Sequence, residues 1–239
     1  LYKSTATNSG DATYYFRGNV ENNYVSFAGQ IWRIVRINED GTIRMIMQDG
    51  INNNTKYKWS SNYKNISTMY YTNSEIKTPL ESWYNDNIGT NNSLSSKVAS
   101  GNYYCEQAKV KFNEETASAD AEMEVKEKYV PNYKCTKDGN GSNGLVNSSV
   151  GLITYDEIVY AGGFGNLVNT KHYLYNNYSF WSMSPCGYNV DTLVWAEFNT
   201  TTSPYLNVYF SYTLRPVINL KSNVQATGSG TSSDPYVIQ

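Results

Sequence analysis

The sequence has few of the residues that supply acid–base chemistry. Its 239 residues include one histidine, His172, and three cysteines, Cys105, Cys135 and Cys186. A catalytic cysteine normally needs a nearby base, usually histidine, to form its thiolate. His172 lies on an expected loop, and no acidic residue can be identified that would orient it. We therefore predict no catalytic residue, and we expect Cys186 to be a buried thiol after a strand bend at Pro185.

Metal and cofactor motifs are also lacking. A lone histidine without a second ligand nearby is a poor metal site. The glycines of KDGNGSNG, residues 137–144, match a dinucleotide fingerprint by letter, but no suitable strand precedes them and no apolar helix follows. The same stretch fails as a calcium loop, because Asn143 replaces the central glycine and Ser149 the final glutamate. We expect neither a metal nor a cofactor.

Charge and long apolar runs are scarce. The net charge is −2, 17% of residues are charged, and there is no run of Lys or Arg, which argues against nucleic-acid binding. No apolar segment approaches the roughly 20 residues that span a bilayer, so we expect no membrane insertion by this segment. The sequence opens with LYKSTATNSG. We expect that any signal peptide or anchor lies outside it.

Tyrosine, by contrast, is abundant, with 23 residues, and Asn, Ser and Thr supply most of the polarity. Recognition surfaces favour Tyr, Ser and Asn. An AT-rich genome would produce a similar bias, and composition alone leaves both explanations open.

The two ends of the chain have β patterns. In residues 13–50, Asp-Gly within NEDGT predicts a hairpin between two strands that bury Trp32, Ile34, Ile43 and Met45 or their neighbours, and Gly29 suggests a bulge. After residue 178, YSFWSMSP, LVWAEFN, YLNVYFS and TLRPVINL read as strands. Arg215-Pro216 requires an edge strand or a bulge.

Helices are predicted between these β regions. TPLESWYNDNI, residues 78–88, has Thr78 as a candidate cap and Pro79 at the first helical position. VGLITYDEIVYAGG, residues 150–163, opens as a strand, and Thr154 or Asp156 then starts a short helix that stops at its Gly-Gly pair. Residues 50–75 lack any period and are expected to be loop. The order of elements favours an α+β fold.

Cys105 and Cys135 flank a charged segment of low apolar content. A disulfide between them would close a loop of about 30 residues and contribute roughly 3 kcal/mol, which suits an exported protein. Two unpaired thiols in a cytosolic protein are the alternative.

The C-terminal region contains WSMSP, a polar stretch and then LRPVINL. This pattern resembles the end of C-type-lectin-like domains, in the branch that includes formylglycine-generating sulfatase-modifying factors and the variable proteins of diversity-generating retroelements. YYFRGNVENNYVSFAGQIWRIVRINEDGTIR, VGLITYDEIVYAGG and GSGTSSDPYVI are similar to segments of surface proteins of gut Bacillota.

The resemblance implies one C-type-lectin-like domain over residues 1–239, with an insertion at 101–148 and a C-terminal tail at 221–239. Its N- and C-terminal strands should pair, with two helices and a long-loop region, and a Cys105–Cys135 bridge is expected. The sequence departs from the functional subclasses of this fold. It lacks the calcium motifs of sugar-binding lectins and the reactive cysteine pair of the sulfatase-modifying enzymes, and it continues about 20 residues past the Arg-Pro-Val close.

In the lectin-like fold the segment between WSMSP and LRPV forms the exposed recognition face. The candidate ligand-binding residues here are Tyr188, Asn189, Asp191, Trp195, Asn199, Tyr205, Asn207, Tyr209 and Tyr212. Aromatic side chains give large contact area at low entropy cost, and amides add polar contacts. Tyr188, Tyr205 and Tyr209 are expected to be exposed, whereas Trp195 suits the core as well as the surface.

The sequence therefore favours a non-enzymatic, extracellular module on the cell surface that binds a glycan or protein ligand on another cell or host surface. One alternative is a degenerate relative of the sulfatase-modifying enzymes. The other is a pilus or stalk module that stacks through an edge strand at PYVIQ.

Overall fold

The computed structural model of the chain describes residues 1–101, 103–107, 130–136, 144–163, 170–189, 191–197 and 205–239. In some strand positions only the backbone is described, namely 103, 187–189, 191–193, 195–197 and 205–206. Sheet dominates this part of the chain, and four short helices accompany it. The predicted α+β class is confirmed. Most of the predicted insertion at 101–148 lies outside the described residues.

The strands occur along the whole described chain. They are β1 (Tyr2–Ser4), β2 (Thr13–Tyr15), β3 (Tyr24–Phe27), β4 (Gln30–Ile37), β5 (Ile43–Met47), β6 (Lys56–Lys58), β7 (Tyr103–Cys105), β8 (Leu145–Asn147), β9 (Phe180–Asn189), β10 (Asp191–Glu197), β11 (Tyr205–Asn207), β12 (Ser211–Thr213), β13 (Val217–Leu220), β14 (Ala226–Thr227) and β15 (Tyr236–Ile238). The helices are α1 (Ile51–Asn54), α2 (Lys77–Tyr84), α3 (Asn92–Ser95) and α4 (Tyr155–Ala161).

An eight-stranded sheet combines both ends of the chain. Its central strand β4 pairs with β2 and β3 along one edge and with β5 along the other. From the C-terminal half, β13 pairs antiparallel with β5, and β15 pairs parallel with β3. The expected pairing of N- and C-terminal strands is therefore observed.

Two tight turns frame β4. Ala28 and Gly29 both have positive φ, 53° and 69°, as a two-residue hairpin requires, and Phe27 lies opposite Gln30. The predicted bulge at Gly29 is therefore wrong, because residues 24–37 fold back as two strands. The predicted Asp40-Gly41 turn is confirmed, since Gly41 has φ of 81° between β4 and β5.

Tryptophans form much of the core. Trp32, Trp59 and Trp181 are fully buried. The Trp59 and Trp181 rings meet edge to face at 5.5 Å, and Trp32 lies 6.2 Å from Trp83. Among the residues predicted for the first hairpin, Trp32 and Met45 are buried, whereas Ile34 and Ile43 are only half-buried.

Residues 50–75 contribute more structure than expected. They contain α1, β6 and two short 3₁₀ turns, and β6 pairs with β12. Trp59, Met69 and Tyr71 from this segment are fully buried, and the Trp59 indole donates to the Thr68 carbonyl at 2.8 Å. The loop prediction fails because these side chains enter the core from irregular backbone, which leaves no periodic signal.

Helix α2 confirms the predicted element but not its cap. It begins at Lys77, its N-cap is Ile76, and no side chain caps it. Pro79 is thus its third residue, still within the first turn where backbone N–H groups have no helical acceptor. The expected apolar face is buried: Leu80, Trp83 and Tyr84 lie on α2, and Ile88 lies in the π-helical turn Asn85–Gly89 that follows it.

Helix α4 begins at the earlier of its two predicted starts and ends as predicted, whereas the strand predicted before it is wrong, because Gly151 forms only an isolated bridge with Val217. Thr154 is the N-cap and forms a capping box with Glu157, and Gly162 ends the helix with φ of 106°. Asp156 and Glu157 lie in the first turn, where negative charge is favourable.

A second sheet of five strands has the order β11-β10-β9-β12-β6. Arg215-Pro216 lies between β12 of this sheet and β13 of the larger one, so the predicted edge strand or bulge at this pair is wrong. Arg215 is buried and donates to the carbonyls of Met47 and Leu174. The chain passes between the sheets here, so Pro216 needs no ladder hydrogen bond.

The terminal strand β15 is not an edge strand, since it pairs with β3 on one side and β14 on the other. The PYVIQ edge expected for a stacking module is therefore wrong. The disulfide between Cys105 and Cys135 is present, as predicted. The Asn8 side chain holds the backbone of Cys135 through two hydrogen bonds, of 3.0 and 3.2 Å.

Candidate functional site

An exposed group of rings lies beside the five-stranded sheet. We call Tyr63, Lys64, Tyr209 and Phe210 the aromatic patch. Tyr209 and Phe210 are 40% and 42% exposed, which is high for aromatic side chains. Their ring centroids are 4.5 Å apart, and Tyr63 meets Tyr209 edge to face at 5.3 Å. The Lys64 ammonium lies 5.1 Å from the Tyr63 ring centroid.

A turn after β11 presents Tyr209 and Phe210. The Asn207 side chain accepts a hydrogen bond from the Tyr209 N–H at 3.2 Å, and the Asn207 carbonyl accepts one from Phe210 at 3.1 Å. Val208, which lies between Asn207 and Tyr209, is fully buried, and its carbonyl accepts a hydrogen bond from the Ser60 N–H at 2.9 Å. The buried Val208 thus anchors the turn while Tyr209 and Phe210 after it are exposed, and the turn brings Tyr209 next to Tyr63.

Three of the predicted binding residues have described side chains. Tyr209 is exposed, as expected. Asn207 is only 7% exposed, so its prediction as a surface contact is wrong; its amide is used to build the turn. Tyr212 is half-buried against Trp181, with ring centroids 5.1 Å apart, and burial raises the pKa of its phenol. The Tyr212 ring is therefore packed against the core rather than presented to solvent as a separate ring.

For five more candidates the structure describes only the backbone. Tyr188 and Asn189 lie in β9, Asp191 and Trp195 in β10, and Tyr205 in β11. The register places Asn189 opposite Asp191 and Trp195 opposite Tyr205, so adjacent strands bring these pairs together. Asn199 lies outside the described residues.

Sequence reasoning missed Tyr63, Lys64 and Phe210. The first two belong to SNYKN, within the segment expected to be loop, and Phe210 continues an alternation with Leu206 and Val208 that is equally typical of core packing. A lysine next to a tyrosine in a polar stretch was the available signal. That signal indicates a surface patch only when the contact between Tyr63 and Tyr209, which is distant in sequence, is known.

A polar cluster, separate from the aromatic patch, surrounds Glu157 in a cleft of about 340 Å³. Arg36 donates to Glu157 Oε1 at 3.1 Å, and Arg44 donates to Oε2 at 3.2 Å. Burial opposes ionisation of this carboxyl, but Arg44, Arg36 and the Thr154 backbone N–H outweigh it and hold its pKa below the ordinary value. Both oxygens are engaged and the group stays ionised, so we interpret the cluster as structural.

The residues considered for nucleophilic chemistry are inside the protein. Cys186 is fully buried in β9, as predicted, and His172 is buried with its ring 6.3 Å from that of Tyr175. Over the described ranges, no group of three or more His, Cys, Asp or Glu side chains is placed to hold a metal ion. In the same ranges, no helix is both long and apolar enough to cross a bilayer.

Comparison with known proteins identifies no relative of the chain. No family model, no curated protein and no solved structure matches the chain.

Proposed function

We propose that this protein is a non-enzymatic extracellular module that binds a glycan or protein ligand through the aromatic patch and the neighbouring strands β9–β11. The carrying observation is the exposed pair Tyr209 and Phe210 on an anchored turn. Exposed rings fixed by packing give contact area without the entropy cost of ordering long side chains. Lys64 adds a cation beside the rings.

An extracellular location is supported by the Cys105–Cys135 disulfide, because disulfides persist mainly in oxidising compartments. The C-type-lectin-like fold is part of the same proposal. It is supported by the pairing of β3 with β15 and of β5 with β13, and by the smaller sheet, in which four of the five strands, β9 to β12, run from WSMSP to the residues before LRPV.

The test is a screen of the labelled protein against arrays of glycans and of cell-surface proteins. The double variant Tyr209→Ser/Phe210→Ser removes both exposed rings and should weaken binding to any ligand found by at least about tenfold. Tyr14→Ser is the matched control, because Tyr14 is also 40% exposed but lies on β2 of the larger sheet.

Binding by the wild type and Tyr14→Ser, lost in the double variant, supports the proposal. Equal binding by all three proteins would place the ligand elsewhere and contradict it. The ligand should be recovered unchanged by mass spectrometry, and a chemically altered ligand would show that the protein is an enzyme.

A further inference from the structure

Arg33 on β4 is a charged residue inside the protein, with only 3% of its surface exposed. Its guanidinium carbon lies 3.7 Å from the centroid of the Tyr24 ring and 5.3 Å from that of Tyr173. The two rings partly stabilise the buried guanidinium, since aromatic faces attract cations.

Among the residues that the structure describes, Arg33 donates hydrogen bonds to neutral acceptors only. Nε donates to Asn23 Oδ1 at 2.7 Å, and Nη2 donates to the Val20 carbonyl at 2.6 Å. Nη1 makes only long contacts, at 3.4 Å, to Gln48 Oε1 and to the Tyr173 carbonyl. The Nη1 end of the guanidinium therefore keeps capacity for a stronger acceptor.

Arg33 also differs in its charge balance from Arg36 and Arg44, the half-buried and buried arginines on the same sheet. Arg36 and Arg44 share Glu157. In the part of the chain that the structure describes, no carboxylate lies within 4 Å of the Arg33 guanidinium. A buried charge without a counter-ion is costly unless something compensates it.

The electrostatic surroundings of Arg33 agree with this deficit. Burial lowers its pKa, and only the Tyr24 and Tyr173 phenols oppose that shift. Burial also lowers the pKa of Arg215 to about 10, and Arg33 is among the charges that add to this lowering. The charge on Arg33 thus disfavours the charged form of Arg215, a second buried cation.

Arg33 lines an open cleft of about 470 Å³. This volume lies in the range of small-molecule sites. Most of its other lining residues are polar; they include Asn19, Gln48, Thr170, His172, Thr231 and Ser232. Among the described lining residues, Glu21 alone carries a carboxylate, and Glu21 is exposed. We call this cavity the Arg33 cleft.

The wall formed by the C-terminal tail is held firmly. The Tyr24 N–H donates to the Gly230 carbonyl at 2.8 Å, which ties the tail to β3. Gly230 has φ of 78°, and a Cβ there would lie 2.3 Å from the Tyr236 ring. Thr231 and Ser232 follow directly on this held residue, and the Thr231 hydroxyl itself accepts a hydrogen bond from the Asp234 N–H at 3.2 Å.

We propose that the Arg33 cleft binds a small oxyanion, a carboxylate or a phosphate, which supplies the missing negative charge to Arg33. The anion would accept from Nη1, and the cleft hydroxyls would complete its hydrogen bonds. Charge-assisted hydrogen bonds of this kind are stronger than neutral ones. The cleft is built from residues other than those of the aromatic patch, so it is a second site.

Titration of the protein with sodium phosphate and, separately, with sodium acetate tests the proposal. Sodium chloride keeps the ionic strength constant. Nuclear magnetic resonance would follow the Arg33 Nε–H and the backbone amides of residues 170–175 and 230–232. We expect saturable chemical-shift changes at these positions with at least one of the two anions. The anion with the higher affinity shows whether the cleft prefers a phosphate or a carboxylate.

Ser232→Glu places a negative charge on the exposed wall of the cleft without touching the packing of Arg33. It should weaken anion binding by at least about tenfold. Ser222→Glu is the matched control, because Ser222 is exposed on the same tail but does not line the cleft. It should leave the affinity unchanged.

Arg33→Gln should abolish the saturable shifts if this variant folds, and Ser232→Glu decides the question if it does not. Shifts that rise linearly with anion concentration would overturn the proposal, as would equal weakening by Ser222→Glu or full binding by Ser232→Glu. None of these outcomes depends on whether the aromatic patch binds its own ligand.

Discussion

Glu157, in the first turn of α4, balances the charges of the buried Arg44 and the half-buried Arg36. Arg36 and Arg44 both donate to it, and its own backbone N–H is capped by Thr154. We expect Glu157→Gln to lower the free energy of unfolding by about 3 kcal/mol, because it leaves the buried Arg44 and the half-buried Arg36 without their carboxylate. Urea denaturation measures the change.

Glu39→Gln is the matched control for that substitution, since Glu39 contacts the same Arg36 at 3.2 Å from an exposed position. It should cost less than about 1 kcal/mol, as exposed ion pairs do. Similar losses in the two variants would show that burial does not determine the strength of the Arg36 contacts.

The same carboxyl predicts a dependence of stability on pH. The folded-state pKa of Glu157 lies below its ordinary 4.5. Its contribution is therefore fully present above about pH 4.5 and is lost as pH falls through the folded-state pKa. The difference in unfolding free energy between wild type and Glu157→Gln should shrink between pH 7 and pH 3. A constant difference over that interval would contradict the prediction.

At the level of elements, two glycines with positive φ give contrasting expectations. A Cβ at Gly29, in the turn between β3 and β4, would meet nothing within 4 Å, whereas one at Gly230 would collide with the Tyr236 ring and the Asn22 carbonyl. Gly29→Ala should cost about 1 kcal/mol from backbone strain alone. Gly230→Ala should cost roughly 3 kcal/mol, because overpacking adds to the strain.

Urea denaturation of the two variants tests this comparison, with each serving as the reference for the other. Gly230→Ala should also increase hydrogen exchange in β15, since Tyr236 belongs to that strand. Equal stability of the two variants would mean that the tail adjusts freely around residue 230.

Elements with a local signal were predictable from the sequence. Thr154 and Glu157 mark the start of α4 and Gly162 its end, because caps depend on neighbouring residues. Ala28 was misleading, since its positive φ is unusual for a residue with a Cβ. Trp59 shows a different failure, because its burial depends on Trp181, more than a hundred residues away in the chain.

The candidate site also combines residues with a local sequence signal and residues whose role depends on distant contacts. The exposure of Tyr209 was predictable from the polar-aromatic stretch around it. The role of Asn207 was not, because a turn amide and a ligand-binding amide have the same sequence appearance. Tyr63 and Lys64 join the patch only through a contact between distant segments. The charge deficit at Arg33 is likewise visible only when its neighbours are known.

At the scale of the whole molecule, the disulfide connects two regions that are distant in sequence. Cys105 and Cys135 are 30 residues apart, and Asn8 holds the backbone of Cys135 beside the N-terminal strands. The double variant Cys105→Ser/Cys135→Ser should lose about 3 kcal/mol of unfolding free energy, since the bond restricts the unfolded chain.

Alkylation gives an independent check of the same feature. Cys186 is fully buried, so native oxidised protein should resist iodoacetamide and react at Cys186 only after unfolding in urea. The urea midpoint for alkylation should fall in the double variant to match its lower stability. Rapid labelling of Cys186 in the native protein would show that the core around β9 opens, whereas an unchanged midpoint would show that the bond adds nothing to global stability.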